Sequence, residues 1–269
     1  MPYAQVQSLT SLNIYYEDTG GDGPVIVFSH GFLMDRTMFA PQLEVLQGQY
    51  RCITWDQRGH GLTAGNRLSP FDFYDSANDL SGLLDVLGVK SAILVGMSQG
   101  GFLTLRCALT NPDAASALVL IDTEAGVMTP DQITANEGML EQWIKSGFSE
   151  ALGEAIAGQI IGPVLPGWDG TPYWISHWGA TRFVNLIPSF DALITRDDIT
   201  SAIGAISQPA LVVHGALDQS VPVAAGQALA AGLTSATFAE IPGAGHASCL
   251  THPALVNAQI VPFLAKLGH

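Results

Sequence analysis

Short apolar runs alternate along this chain with segments in which apolar side chains recur every three or four residues. From Phe73 to Leu87 the apolar positions follow a helical period, and Gly88 supplies a stop signal. The apolar runs predict seven strands: Leu12–Glu17, Val25–Ser29, Arg51–Trp55, Ala92–Val95, Ala117–Ile121, Ala210–Val213 and Ala236–Ile241. Alternating strands and helices are typical of an α/β fold, in which helices cover both faces of a mostly parallel sheet.

The alternation stops between residues 124 and 205, where helical signals follow one another without intervening strands. Helix starts are predicted at Thr129-Pro130, after Ser149 and at Thr171-Pro172. We therefore expect an α/β core formed by residues 1–123 and 206–269, with a helical cap inserted as residues 124–205.

This insertion carries four of the five tryptophans, so it is far more aromatic than the core. Aromatic rings there can attach the insertion to the sheet, or they can line an apolar pocket above an active site. We expect both uses, and we predict Trp143, Trp174 and Trp178 as substrate-binding residues. His177, in the same segment, is a further candidate for substrate contact.

A candidate nucleophile lies in the segment Gly96-Met97-Ser98-Gln99-Gly100, directly after one predicted strand and directly before a helical pattern. A serine hydroxyl is a weak nucleophile that needs a base beside it and N–H groups facing the developing oxyanion. A sharp strand-to-helix turn provides that exposure, and glycines two residues away on either side allow the strand and helix to approach closely. The context therefore predicts Ser98 as the nucleophile.

The last third of the chain supplies a carboxylate and a base in the order that such a turn requires. Asp218 follows the predicted strand Ala210–Val213, and His246 follows the last predicted strand. Both lie at the carboxyl ends of strands, at the sheet edge where Ser98 is also expected. We predict that His246 takes the Ser98 proton while Asp218 orients and stabilises the imidazole.

Other residues compete for these roles. Asp122 follows another predicted strand and is the alternative carboxylate, while His60 is the strongest rival base. His30 and His214 precede glycines at strand ends and are interpreted as structural, with His30 as a possible brace for the neighbouring loop. For the oxyanion hole, the backbone N–H groups of Phe32 and Gln99 are predicted.

Composition excludes several classes of function. The formal charge of −14 disfavours nucleic acid and anionic membranes as partners, since both would be repelled. The N-terminus lacks the pattern of a secretion signal, and no apolar run approaches the ~18 residues of a membrane span. Three cysteines, an odd number without ligand spacing, indicate reduced thiols and no metal site. We expect a cytoplasmic protein, and its oligomeric state stays open.

Together these motifs resemble the α/β-hydrolase superfamily over nearly the whole chain. The resemblance is carried by His30-Gly31-Phe32, Asp56 to Gly61, Gly96 to Gly101, His214 to Asp218 with Pro222, and Gly243 to His246. It implies an eight-stranded sheet whose second strand is antiparallel, a helical cap after the sixth strand, and no cofactor. It also implies similarity to bacterial carboxylesterases, 3-oxoadipate enol-lactone hydrolases and haloperoxidase-like perhydrolases.

The expected function is hydrolysis of small or medium apolar carboxylic esters or lactones through an acyl-enzyme, with the small-molecule ester or lactone as the expected partner. Ser98 separates the chain from relatives that attack with aspartate, and Ala247 separates it from carbon–carbon bond hydrolases, which carry tryptophan there. An acidic enol-lactone would need an anchor such as Arg182 or Arg196. Lyase or perhydrolase chemistry and a hydrolase-like small-molecule receptor remain alternatives.

Overall fold

The computed structural model describes residues 3–8, 11–63, 69–181 and 187–268. Its sheet has eight strands in the order β1-β2-β4-β3-β5-β6-β7-β8. They are β1 Tyr3–Gln7, β2 Ser11–Asp18, β3 Val25–Ser29, β4 Arg51–Trp55, β5 Ala92–Met97, β6 Ala115–Ile121, β7 Ala210–Gly215 and β8 Ala236–Ile241. Strand β2 runs antiparallel to both of its neighbours, and the pairs from β4 to β8 are parallel. The α/β fold and the antiparallel second strand are thus confirmed.

Strand β1 is the one strand that the pattern of residues did not predict. Its buried side chains Ala4 and Val6 alternate with exposed polar ones, which is the period-2 signal of a half-buried strand. This alternating pattern spans only five residues, so the sequence alone did not distinguish β1 as a strand.

Helices lie along the chain as α1 Ala40–Leu46, α2 Phe73–Val86, α3 Gln99–Thr110, α4 Pro130–Ser146, α5 Glu150–Ile160, α6 Thr171–Ala180, α7 Ile187–Ile194, α8 Val223–Gly232, α9 Ser248–Thr251 and α10 Pro253–Lys266. The helix predicted from Phe73 to Leu87 is α2, which Asp72 and Asp75 begin with a capping box. None of the described helices is long and apolar enough to cross a lipid bilayer.

The two faces of the sheet bury separate hydrophobic clusters because side chains alternate along each strand. On one face Val27, Leu94 and Leu118 pack with α2, α3 and α8. On the other face Phe28 and Val95 pack with α1 and α10. The sheet is therefore covered on both sides, which leaves its edges and strand ends for polar groups.

Helices α4 to α7 lie between β6 and β7, in the segment predicted as a cap. Thr129 begins α4 with a capping box and Ser149 caps α5, both as the sequence indicates. The described part of this segment joins both hydrophobic clusters: Trp174 and Trp178 pack in one of them, and Leu193 in the other. We treat residues 124–205 below as the inserted segment.

A buried ion pair ties the loop after β4 to α2. Arg58 donates from Nε and Nη2 to both oxygens of Asp79, at 2.5 and 2.7 Å, and both side chains are almost fully excluded from solvent. Ser8 Oγ donates to the same carboxylate, which also connects the end of β1. The charges of the two partners therefore compensate each other inside the protein.

We predict that Asp79→Ala lowers the free energy of unfolding by about 3 to 5 kcal/mol, because it leaves a buried guanidinium without its counter-charge. Urea denaturation monitored by circular dichroism measures this change. Asp18→Ala is the matched control, since it removes the partner of Arg51 from a half-exposed pair and should cost at most about 1 kcal/mol. Equal losses in the two variants would contradict the prediction.

Candidate active site

Ser98 occupies the sharp turn between β5 and α3. Its backbone has φ 50° and ψ −116°, a region that residues with a Cβ rarely adopt, at a cost of order 1 to 3 kcal/mol. Hydrogen bonds hold the turn: Ser98 N–H donates to the Ile121 carbonyl at 2.9 Å, and Thr123 Oγ donates to the Ser98 carbonyl at 2.9 Å. The geometry is that of a nucleophile elbow, with the side chain directed out of the turn.

Two glycines permit this turn because neighbouring backbone lies against them. A Cβ on Gly96 would collide with the backbone of Gly100, and a Cβ on Gly100 would collide with the Ser29 carbonyl at the end of β3. The start of α3 therefore packs directly on two strands. This close approach is what the glycine spacing in the sequence indicated.

A chain of hydrogen bonds joins Ser98 to His246 and His246 to Asp218. His246 Nδ1 lies 2.8 Å from Asp218 Oδ2, and His246 Nε2 lies 2.9 Å from Ser98 Oγ. Because a carboxylate only accepts, Nδ1 carries the hydrogen, and Nε2 is left to accept the proton of the serine hydroxyl. The structure thus brings together the three residues that the sequence placed at the ends of β5, β7 and β8.

The carboxylate of Asp218 is buried, and both of its oxygens have hydrogen-bonding partners. Its Oδ1 accepts from the N–H groups of Ser220 and Val221 at 2.8 and 2.9 Å, and His214 Nε2 lies 3.2 Å from Oδ2. Burial alone would raise the pKa of this carboxyl group, but the positive charge on His246 and these hydrogen bonds hold it well below its ordinary value. Asp218 is therefore ionised at neutral pH.

The same interaction acts on His246 in the opposite direction. Burial alone would lower the pKa of the imidazole, but the charge of Asp218 and its hydrogen bond outweigh burial and raise the pKa above 6.5. Asp122 adds to this effect as a second negative charge. The base at this site is consequently stronger than a free histidine.

Asp122, the alternative carboxylate, contacts two loops and makes no hydrogen bond to His246. Its Oδ1 accepts from Gly215 N–H at 2.8 Å, and its Oδ2 accepts from the N–H and hydroxyl of Ser248 at 2.9 and 2.7 Å. Full burial raises its pKa to about 6. Asp122 thereby links the loop that carries Asp218 to the segment that follows His246.

The rival base His60 lies away from Ser98, against the rings of His30 and Phe32. Its Nδ1 donates to the Arg58 carbonyl at 3.0 Å, and burial lowers its pKa to about 3. His30 donates from Nδ1 to the Gly31 carbonyl at 2.8 Å and accepts at Nε2 from Gln57 N–H at 3.0 Å. His60 is thus a neutral buried ring, and His30 braces the loop after β3.

The predicted oxyanion donors lie on either side of Ser98. Gln99 is the first residue of α3, so its N–H has no partner within the helix, and the helix dipole favours negative charge there. Phe32 follows Gly31, which packs against the side chain of Met97. Gln57 holds both segments: Gln99 Nε2 donates to Gln57 Oε1 at 2.9 Å, and Gln57 Nε2 donates to the His30 carbonyl. The sequence did not reveal this bridge, because glutamine carries no signal of its own.

A cavity of about 700 Å³ opens beside Ser98 and His246. Its walls combine the loop after β3, the start of α3, the inserted segment and the loop after Asp218. Residues that line it include Phe32, Phe102, Met128, Asp131, Gln132, Asn136, Gln159, Leu193, Arg196 and Ser220. The wall is therefore partly apolar and partly polar, rather than wholly apolar as the aromatic content of the insertion suggested.

The predicted substrate-binding tryptophans are not among the residues that line this cavity. Trp174 and Trp178 are buried in the core, where Trp178 Nε1 donates to the Leu33 carbonyl at 2.8 Å. Neither ring faces the larger cavity where the sequence predicted it: an indole ring buries a large apolar surface, and the N–H of Trp178 finds its partner in the core. Trp143 borders a second, smaller cavity. His177 faces Asp35 at 3.5 Å and does not line the larger cavity.

Arg196, a candidate carboxylate anchor, lines the cavity but is already engaged. It donates to Glu124 Oε1 at 2.6 Å, to the Gly126 carbonyl at 3.0 Å and to the Leu193 carbonyl at 2.8 Å. Its charge is compensated by Glu124. The other candidate, Arg182, lies outside the described residues.

Within the described ranges, one cluster brings three potential metal ligands together, namely Asp122, His214 and Asp218. Their ligand atoms lie within 4.8 Å of one another. However, the oxygens of both carboxylates face N–H donors, and His214 Nε2 itself donates to the Val221 carbonyl at 2.8 Å. The donor set therefore fits a hydrogen-bond network better than a cation site.

Comparisons with known proteins show what this chain is similar to. A model described as "Alpha/beta hydrolase family" matches residues 26–259. A Caulobacter protein provisionally named carbamate hydrolase RutD is 29% identical, with 97% of this chain and 98% of the relative covered. A non-heme haloperoxidase from Rhodococcus erythropolis is also 29% identical, with 98% and 99% covered. An esterase structure from Thermogutta terrifontis has a TM-score of 0.85 at 26% identity over 100% of both chains.

We predict that kcat/KM falls as the pH is lowered, with a midpoint above 6.5. His246 accepts a proton only when neutral, so activity is present above its raised pKa and is lost as the pH falls through that value. Hydrolysis of a neutral ester measured between about pH 5 and about pH 9 tests this. A midpoint at or below 6.5 would show that Asp218 does not act on the base as described.

A second prediction separates the two carboxylates. Asp218→Asn should lower kcat by about 10⁴-fold, because an amide at this position favours the wrong tautomer of His246. Asp122→Asn should lower it far less, since Asp122 contacts the loops and not the imidazole. Steady-state kinetics of both folded variants measure the difference, and the reverse order would move the acid to the end of β6.

Proposed function

We propose that this chain, which belongs to the alpha/beta hydrolase family, is a serine hydrolase that cleaves carboxylic esters or lactones through an acyl-enzyme. The observation that carries the proposal is the hydrogen-bonded series from Ser98 through His246 to Asp218, set in the wall of a cavity of about 700 Å³. A nucleophile, a base and an orienting carboxylate in contact are the requirement for acyl transfer through serine.

In the first half of the reaction, Ser98 Oγ attacks the carbonyl carbon while its proton passes to His246 Nε2. The new imidazolium is stabilised by Asp218, which stays ionised. The oxyanion faces the N–H groups proposed at Phe32 and Gln99, each worth about 3 kcal/mol of barrier when well aimed. Collapse of the intermediate breaks the ester bond, and His246 returns the proton to the leaving alcohol.

In the second half, a water molecule replaces the alcohol. His246 takes a proton from this water as it attacks the acyl carbon, and then returns that proton to Ser98 Oγ when the acid leaves. Both halves use one base in one position. His246 can act in both halves because its Nδ1 stays hydrogen-bonded to Asp218, which leaves Nε2 free to exchange protons with the reacting groups.

Electrostatics favour neutral substrates over acidic ones. The cavity wall includes the carboxylates of Asp131 and Glu124, and the guanidinium of Arg196 is paired with Glu124. The chain as a whole carries a formal charge of −14. An anionic lactone would meet repulsion without an unpaired cation among the described lining residues, so a neutral ester or lactone is the better fit.

We predict that a fluorophosphonate probe labels Ser98 and that Ser98→Ala lowers kcat on p-nitrophenyl acetate by about 10⁴-fold or more. The physical reason is that only Ser98 Oγ lies against the base. Peptide mapping by mass spectrometry locates the label, and the exposed Ser207→Ala serves as the matched control with wild-type labelling.

Labelling of a different serine, or turnover unchanged in Ser98→Ala, would overturn the proposed function. The absence of turnover in a folded wild-type protein that still binds a small ligand would instead favour a hydrolase-like receptor.

A further inference from the structure

Helix α4 presents one continuous face to the cavities. The residues that line the cavities recur every three or four positions, so they lie on the same side of the helix; they include Gln132, Asn136, Leu140 and Trp143. With a rise of about 1.5 Å per residue, this face is roughly 16 Å long from Gln132 to Trp143. It is therefore long enough to contact both ends of a medium-sized substrate.

The polarity of this face changes along its length. Asp131, Gln132 and Asn136 line the larger cavity near Ser98, and Asp131 is exposed to solvent. Towards the end of the helix, Leu140 and Trp143 line a second cavity of about 50 Å³, where Trp143 is buried. Solvent exposure and polarity thus decrease together along α4.

The two cavities adjoin. Four residues border both cavities: Phe32, Asn136, Gln159 and Ile160. Ser98 and His246 border only the larger cavity. The remaining lining of the smaller cavity is apolar and includes Leu33, Met139, Ile156 and Phe190. The acyl chain of a substrate bound at Ser98 would therefore enter the smaller cavity once it passes Phe32, and would contact apolar side chains there.

The polar end of the face carries unpartnered hydrogen-bond acceptors. Asn136 Nδ2 donates to the Gln132 carbonyl at 2.7 Å, which orients the side chain, and its Oδ1 has no partner among the described residues. The carboxylate of Asp131 has no hydrogen bond or ion pair within the described ranges either. The two free oxygen sites, Asn136 Oδ1 and the Asp131 carboxylate, accept hydrogen bonds, so they favour a ligand that donates, such as a hydroxyl or an ammonium group.

We propose that α4 sorts the two ends of the substrate, binding an alkyl acyl chain in the small cavity beside Trp143 and a hydrogen-bond-donating alcohol at Asn136 and Asp131. This inference rests on the proposed function and deepens it. The preferred substrate class is an ester of an unbranched aliphatic acid with a hydroxylated or cationic alcohol.

The order of the reaction supports this orientation. The alcohol leaves while the acyl group stays attached to Ser98, and water must then reach the acyl carbon. The departing group therefore belongs at the exposed, polar end of the face, where Asp131 meets solvent. The retained acyl chain belongs at the buried end, where its apolar surface is removed from water.

The test uses three alcohols with one acid: 2-hydroxyethyl, 2-methoxyethyl and ethyl hexanoate. The hydroxyl donates, the methoxy group only accepts, and the ethyl group does neither. We expect kcat/KM for the hydroxyethyl ester to exceed that of the methoxyethyl ester by about five- to tenfold. Asn136→Leu should reduce this difference and the double variant Asp131→Ala/Asn136→Leu should abolish it, while the adjacent, exposed Glu137→Leu, which lines neither cavity, should retain it.

The apolar end is tested with hydroxyethyl esters of acetate to octanoate. Each methylene that enters the small cavity should raise kcat/KM by up to about fourfold until the cavity is full. Leu140→Phe should move the optimum to a shorter chain and Leu140→Ala to a longer one, since the Leu140 side chain borders only the small cavity. An optimum that stays in place in both variants would overturn the inference.

Binding without hydrolysis separates this inference from the proposed function. In Ser98→Ala, the non-hydrolysable ether 2-hexyloxyethanol should bind more tightly than its O-methyl derivative, and the further changes Asp131→Ala and Asn136→Leu together should remove the difference; calorimetry measures both. If no ester is cleaved but this binding pattern holds, the proposed function fails and the sorting stands. If esters are cleaved without dependence on the alcohol, chain length or these variants, the sorting fails and the function stands.

Discussion

The parallel strands β3, β5, β7 and β8 end at the same edge of the sheet, and the whole site depends on this constraint. Strand β3 leads to Phe32, β5 to Ser98, β7 to Asp218 and β8 to His246. These residues lie up to 214 positions apart, yet parallel pairing in fixed register brings their loops within hydrogen-bond distance. The close packing of Gly100 on the Ser29 carbonyl then fixes the turn at Ser98. A shift of register along β5 or β8 would separate the nucleophile from its base.

Burial favours a lower pKa for every histidine at this edge of the sheet, and the groups around each ring decide whether the pKa falls or rises. The rings of His30 and His60 hydrogen-bond to backbone groups, and burial outweighs the charges around them and lowers the pKa of each, so both stay uncharged. His246 is just as buried, but the ionised Asp218 against it raises its pKa. One histidine is therefore kept as a reactive base while its neighbours are inert. The second carboxylate, Asp122, adds to this field and holds the flanking loops together.

In the proposed enzyme, the core carries Ser98, Asp218 and His246, and the inserted segment forms part of the cavity wall beside them. Its tryptophans chiefly attach it to the core, as the contact of Trp178 with the Leu33 carbonyl shows. Since Leu33 follows Phe32, this same contact also steadies the proposed oxyanion loop. The cavities are lined instead by α4, with amide and carboxylate groups at one end of this helix and apolar groups at the other. The aromatic content thus indicated that the segment packs on the core, but it did not indicate which residues line the cavities.

The sequence by itself determined the α/β order, most strand bounds, the turn at Ser98 and the roles proposed for Asp218 and His246. These follow from local signals, such as hydrophobic period, glycine spacing and position after a strand, which short stretches of chain carry on their own. Tertiary structure alone decided the pairing of the short strand β1, the Gln57 bridge, the place of Asp122 between two loops, and the engagement of Arg196 by Glu124. It also decided that Trp174 and Trp178 are core residues. Each of these depends on contacts between distant segments, whose partners exist only after the chain has folded.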